Sequence, residues 1–324
     1  MLTHLLSSCL VTFVSMNSLR ICVILCLLVV SACKQPEPRT SEDRQKILDQ
    51  TKGPEITGVK GTLLQQAEDA MKAGETRRAE QMYDQLLSTN SDNAEYQQKL
   101  ADLRRRNGNF DGALELFDKI LVKQPDSIDA KEGKALALLG KSEVKAAGDL
   151  FGEVLAKDNT RWRSLNAVGI LFAVKGMASE ANSYFSEAMK HTTHPATVLN
   201  NIALTKALVR NFDEAVSTFM DARSKLPAGS PDLARIDMNL ALTYGIMGRI
   251  EDAQKISESH LTPEQLYNNL GFYAMLNKDS ALAKTYLNMA LSQSPRYYEK
   301  AWNTLDIITG TPSSPGDLPS FKVQ

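Results

Sequence analysis

Beyond Lys34 the chain has no cysteine, its aromatic content is 6%, and its charges nearly cancel, 37 Lys and Arg against 38 Asp and Glu. Each shortage excludes something. Without thiols after Cys33, the body of the chain holds no disulfide framework, no structural zinc site of the cysteine type and no cysteine nucleophile. A formal net charge of −1 argues against a nucleic-acid binder, which needs a basic surface to release counterions. No apolar run approaches the roughly 20 residues of a membrane-spanning helix. Glycine, at 18 of 324 residues, and a 23% charged fraction are ordinary, which rules out wholesale disorder.

What is present begins with an address. From Met16 the order is Met-Asn-Ser-Leu-Arg, an uncharged apolar segment Ile21 to Val30, then Ser31-Ala32-Cys33. A short basic region, a short apolar core and small residues at a cleavage point are the layout of a secretory signal. Met16 makes a better start than Met1, because the residues before it add a second apolar patch that the signal does not need. Cys9, Cys22 and Cys26 then fall within residues 1–32, which are removed. Residues 33–59 carry Pro36, Pro38, Gly53, Pro54 and Gly58 among polar neighbours and are expected to form a flexible tether. A random coil of n residues spans about 5–6 Å × √n, so the tether would reach tens of ångströms.

From residue 60 to 308 the sequence repeats itself. Ala79, Ala113, Ala147, Ala181 and Ala215 recur at intervals of 34, and four places on stand the rings Tyr83, Phe117, Phe151, Phe185 and Phe219. A second small series runs Ala67, Ala101, Ala135, Gly169 and Ala203, and Gly74, Gly108 and Gly176 mark turns within units. Small residues let two helices approach, and the ring fills the hole between successive units. A helical pair cannot bury its own apolar face alone, so units must stack. Repeats are expected near residues 60, 94, 128, 162, 196, 234 and 264, with Leu226–Pro231 as an insertion before the sixth. The sixth unit's second helix is expected to stop early, with Ser257 where the ring belongs. Residues 297–308 are expected to form a capping helix with Trp302 packed inward, and 309–324 a disordered tail.

No catalytic or cofactor motif is found: no phosphate-binding glycine loop, no H-E-x-x-H and no G-x-S-x-G. An enzyme is not expected, and neither metal nor cofactor is implied. His191 and His194 have H-x-x-H spacing, but two histidines in a loop make an incomplete site. His260 occupies a repeat position normally small and apolar, and reads as a feature of the shortened helix. Arg104-Arg105-Arg106 closes a first helix, either complementing its carbonyl end or forming a patch for a lipid or partner. First helices should line a groove, where asparagines offer a peptide backbone both donor and acceptor. The candidate groove comprises Asn166, Ile170, Asn200, Asn201, Leu204, Asn239, Leu242, Asn268, Asn269 and Phe272. The alternative is that these asparagines bond to adjacent helices and fix the stacking.

Two resemblances follow from these residues. The 34-residue period resembles the tetratricopeptide repeat, which implies an all-α, right-handed solenoid of about seven helical hairpins with a C-terminal capping helix. Val30-Ser31-Ala32-Cys33 resembles a bacterial lipobox, which implies diacylglycerol and fatty acyl groups (palmitate among them) on Cys33. Lys34, in place of the aspartate of an inner-membrane retention signal, then implies the periplasmic side of the outer membrane. Arg235 to Gly248, Ala253, Leu261-Thr262-Pro263 and Asn268 to Tyr273 are similar to the TadD type of tight-adherence (Tad/Flp) pilus assembly lipoproteins. That likeness implies a scaffold or pilotin that binds protein partners, the outer-membrane secretin above all, and touches the membrane only through its lipid. A lipoprotein adaptor gathering cell-wall hydrolases has the same architecture.

Overall fold

A computed structural model describes residues 60–293 together with 301, 304 and 305. Cys33, the signal and tether segments, Trp302 and the tail lie outside these described residues. Within them are fourteen α-helices and no strand, joined by short turns. In order they are α1 (Lys60–Lys72), α2 (Thr76–Thr89), α3 (Ala94–Arg106), α4 (Phe110–Lys123), α5 (Ile128–Gly140), α6 (Val144–Lys157) and α7 (Trp162–Val174). There follow α8 (Ala178–His191), α9 (Pro195–Leu208), α10 (Phe212–Ser224), α11 (Pro231–Ile246), α12 (Ile250–Ser257), α13 (Pro263–Leu276) and α14 (Ser280–Gln293). No described helix is long and apolar enough to cross a membrane.

The helices form two compact units, one of residues 60–172 and 183–192, the other of 173–182 and the described residues from 193 onward. In the first, each helix from α1 to α5 packs on its successor, and α3 also packs on α5. In the second, α9 packs on α10, α10 on α11, α11 on α12 and α13 on α14, while the first helices α9, α11 and α13 pack side by side. Both units are therefore stacks of antiparallel hairpins.

Local sequence sets the helix starts. Asn93 accepts from the Tyr96 N–H at 3.0 Å and Ser127 from the Ala130 N–H at 3.3 Å, each satisfying one free donor of the first turn. At α13 the Thr262 N–H donates to the Gln265 side chain at 3.2 Å, and Pro263 enters the first turn with its φ already helical. α11 starts at Pro231, three residues ahead of the expected Ala234, and runs for 16 residues. The same property of proline accounts for the difference: Ser230 is extended, and Pro231 begins the helix at once.

The periodic residues are the core. Phe117, Phe151, Phe185 and Phe219 are fully buried, as are Ala79, Ala113, Ala147, Ala181 and Ala215, and Tyr83 is 1% exposed. The rings rest on positions that have no room for a side chain. A Cβ at residue 133 would stand 2.3 Å from the Phe117 ring, and one at 169 would stand 2.6 Å from Phe185. In the second unit Tyr273 covers Gly245 with the same closeness, 2.4 Å. α12 is the exception the pattern predicts: it has eight residues, and buried Ser257 turns its hydroxyl to the Ala253 carbonyl at 2.7 Å.

The turn inside each hairpin is left-handed at one residue. Gly74, Gly108 and Gly176 have φ of 75°, 79° and 78°, and Ser142 and Arg210 have 66° and 64° at the same point of the repeat. An L side chain there costs about 1–2 kcal/mol that glycine avoids. Ser142→Gly is expected to raise the unfolding free energy measured in urea by about 0.5–1 kcal/mol once glycine's greater unfolded entropy is deducted. Phe117→Ala is expected to cost about 3–5 kcal/mol, since the hole opposite Gly133 cannot close. A loss below ~1 kcal/mol in equilibrium unfolding would show that the ring is not what joins these hairpins.

Candidate functional site

The first helices position the sequence-derived groove residues, and burial divides them. In the first unit α7 carries Asn166, 8% exposed, and half-buried Ile170. In the second, Asn200, Asn239 and Leu204 are buried, while Asn201, Leu242, Asn268, Asn269 and Phe272 are half-buried. The structure brings α9, α11 and α13 together, so the second-unit residues share one wall.

Their asparagines interact chiefly with one another. Asn239 Nδ2 donates to Asn200 Oδ1 at 2.8 Å, and Asn200 Nδ2 donates to Asn201 Oδ1 at 3.1 Å. The three make a chain from the interior between α9 and α11 to the half-exposed side of α9. Beneath it Thr205 and Thr243 return their hydroxyls to the carbonyls of Asn201 and Asn239, at 2.8 and 2.9 Å. On α13 the Asn268 amide lies 3.5 Å from Asn269 Oδ1, and Asn268 Oδ1 is buried without a hydrogen-bond partner. Asn277 Nδ2 donates to the Gly245 carbonyl at 2.6 Å, tying the end of α13 to the end of α11. Asn200 and Asn239 thus serve the stacking. Asn201, Asn269 and Phe272 are the residues with surface to offer a peptide.

A carboxylate plays the stacking part in the first unit. Glu132, 5% exposed on α5, accepts from the Ser164 hydroxyl at 2.8 Å and from the Ser164 N–H at 3.2 Å, both on α7. Arg161 stands 2.6 Å from Asp129 and 3.8 Å from Glu132, so the buried charge is compensated. Glu132 is 34 residues before Asn166, which is 34 before Asn200. That recurrence was readable as a polar row; the pairing with Ser164 was not.

The residues outside the groove also find places. His260 Nε2 lies 2.9 Å from Asp237 Oδ2, and Arg223 grips the same carboxylate, which is 2% exposed. The histidine of the shortened hairpin is therefore half of a double clamp on a buried anion. Asp237 was not singled out by sequence, and its spacing from Arg223 and His260 follows no period. His191 pairs with Glu187 one turn back at 3.1 Å, and His194 Nδ1 is 2.8 Å from the Thr193 hydroxyl. Among the described residues no group of three or more His, Cys, Asp or Glu could hold a metal ion.

Residues 64–128 and 99–161 match the tetratricopeptide repeat family. No curated protein matches the chain. Among solved structures, a tetratricopeptide repeat protein from Parabacteroides merdae is similar at 18% identity with a TM-score of 0.53, over 77% of this chain and 98% of that one. PilW, described as a widely conserved type IV pilus biogenesis factor, is similar at 19% identity and a TM-score of 0.53, over 65% of this chain and 98% of its own. Pseudomonas aeruginosa PilF is similar at 20% identity and a TM-score of 0.47, over 64% and 94%. Such identities speak for the fold alone: this chain has the all-α tetratricopeptide-repeat fold.

The division between buried and half-buried asparagines has a direct test. Asn200→Ala leaves a buried donor of Asn239 without its acceptor and is expected to lower stability by about 1–3 kcal/mol. Asn269→Ala is expected to stay within ~0.5 kcal/mol. Equal melting temperatures for the two variants would remove Asn200 from the stacking.

Proposed function

We propose that this chain is a lipid-anchored scaffold on the periplasmic side of the outer membrane, which captures a protein segment to assist secretin and Tad/Flp pilus assembly. The tetratricopeptide-repeat fold is a protein-interaction scaffold, and the observation that carries the proposal is the wall of α9, α11 and α13. Its interior asparagines are spent on each other, while Asn201, Asn269 and Phe272 offer polar and apolar surface on adjacent helices. That combination suits an extended peptide, whose backbone needs hydrogen bonds and whose side chains need apolar contact.

The location rests on the lipobox at Cys33, and the pilus reading on the similarity of Arg235–Gly248 and Leu261–Tyr273 to TadD-type proteins. These two segments form α11 and α13, which pack together in the second unit. PilW lends support of a limited kind, since in that protein the same fold belongs to a pilus biogenesis factor. Binding alone accounts for the action. Two acyl signals on one residue hold a protein firmly to a bilayer, and the 26 tether residues after Cys33 let the scaffold search. A captured subunit then has a raised local concentration at the membrane.

Crosslinking in intact cells, followed by identification of the captured protein, tests the proposal. Secretin or another pilus component is expected, with Cys33→Ser releasing the scaffold from the membrane fraction. Normal secretin rings in a deletion strain, or capture of cell-wall hydrolases instead, would overturn it.

A further inference from the structure

An apolar strip crosses the wall of first helices in the second unit. Leu242 on α11 and Phe272 on α13 each follow the small residue of their helix, Ala241 and Gly271. Both are half-buried, and both pack on the same buried cluster, which includes Ala241, Leu270 and Tyr273. Half-buried Met238 and Met275 stand one turn away on the same two helices and widen the strip. Methionine is unbranched and adapts to whatever lies on it. Asn269, one turn before Phe272, and Asn201 on α9 border the strip with half-buried amides.

The chain itself departs from beside this wall. Leu305 packs with Tyr267 of α13 against a cluster that includes Leu287, Ala290 and Leu291 of α14. Residues 306–324 follow, with prolines at 312, 315 and 319. After Ile308 the apolar side chains other than proline are Leu318, Phe321 and Val323. Residues 306–317 span about 40 Å when extended at ~3.3–3.6 Å each, against a helix diameter of about 10–12 Å with side chains. The segment from 318 onward is thus within reach of the far side of α13.

Its spacing also matches. Packed helices lie about 8–10 Å apart. In the extended conformation that proline favours, the chain rises about 3.1 Å per residue with three residues per turn. Side chains three apart therefore stand about 9 Å apart on one side, and Leu318 and Phe321 are three apart.

We propose that residues 318–323 occupy the wall of the chain's own second unit, with Leu318 on Phe272 and Phe321 on Leu242, so that a partner segment must displace them to bind. Asn269 and Asn201 then meet the polar backbone of the segment. Pro319 lowers the entropy lost on docking, because its φ is already fixed. Attachment through a short linker gives an effective concentration of order mM, so modest contacts suffice. The inference rests on the reading of this wall as a peptide site and adds how the site is held closed.

Disulfide trapping tests it in the chain from residue 33 onward, the form left once the signal is removed, with Cys33→Ser so that no native thiol remains. Asn269→Cys with Ser320→Cys is expected to close an intramolecular disulfide about tenfold faster under mild oxidation than Thr285→Cys with Ser320→Cys. Thr285 is exposed on α14 and nearer in sequence to residue 320, so an undocked segment would meet it at least as often. Adding Leu318→Ser and Phe321→Ser, which lie outside every described helix, should bring the faster rate down to the slower one. Equal rates for the two pairs would overturn the proposal. So would a fast rate that the serines leave unchanged, or a disulfide that joins two chains in place of one. A chain that fails to capture secretin can still close this disulfide, and one that fails to close it can still capture secretin, so the two readings fall separately.

Discussion

The contact between a ring and a missing side chain is the constraint on which the rest of this structure depends. Phe117 on Gly133, Phe185 on Gly169 and Tyr273 on Gly245 leave no space for even a methyl group. Each pair joins two helices at the closest approach their backbones allow, and the alanines beside the rings permit the same closeness elsewhere. A single hairpin of two short helices has too little apolar surface to stand alone. Phe185 on Gly169 closes a hairpin on itself, while Phe117 on Gly133 and Tyr273 on Gly245 join a hairpin to its neighbour. The first helices are aligned by the same contacts, and it is on the first helices that every candidate binding residue sits.

Polar groups complete what the rings begin. In each unit one buried polar pair links successive first helices: Glu132 with Ser164 in one, Asn200 with Asn239 in the other. A buried polar group is costly unless it is satisfied, so such a pair fixes register more sharply than apolar packing does. Where the repeat is broken, the device changes. α12 is too short to carry a ring, and there Asp237, buried between Arg223 and His260, connects the end of α10 to the turn before α13. The irregular hairpin thus adds this clamp to the contact of Tyr273 on Gly245.

The groove residues show why composition and spacing alone misjudge a binding surface. All ten lie on first helices, yet Asn200 and Asn239 point at each other while Asn269 and Phe272 keep exposed surface. An asparagine satisfies a ligand backbone and a neighbouring helix with the same atoms, so the sequence pattern is identical for both roles. The arginines at the end of α3 make the same point in reverse. Three consecutive identical residues look like one feature, but Arg104 is consumed by Asp84 and Glu80, Arg105 meets Asp102 on its own helix, and Arg106 is exposed.

The sequence by itself determined the period, and with it the helices, the buried rings and most of the turns, because those depend on residues at fixed short separations. It even contained the left-handed turns at Ser142 and Arg210, which follow Gly74 and Gly108 at the same 34-residue interval although neither is glycine. The early end of α12 was legible from Ser257 and the Thr262-Pro263 start that follows it. Only the tertiary structure decided which polar side chains are spent inside. The clamp on Asp237 and the Glu132–Ser164 pair join residues at separations of 14 to 32 that follow no helical or repeat rule. Such contacts are set by how one hairpin lies on the next, and that geometry exists only once the stack has formed.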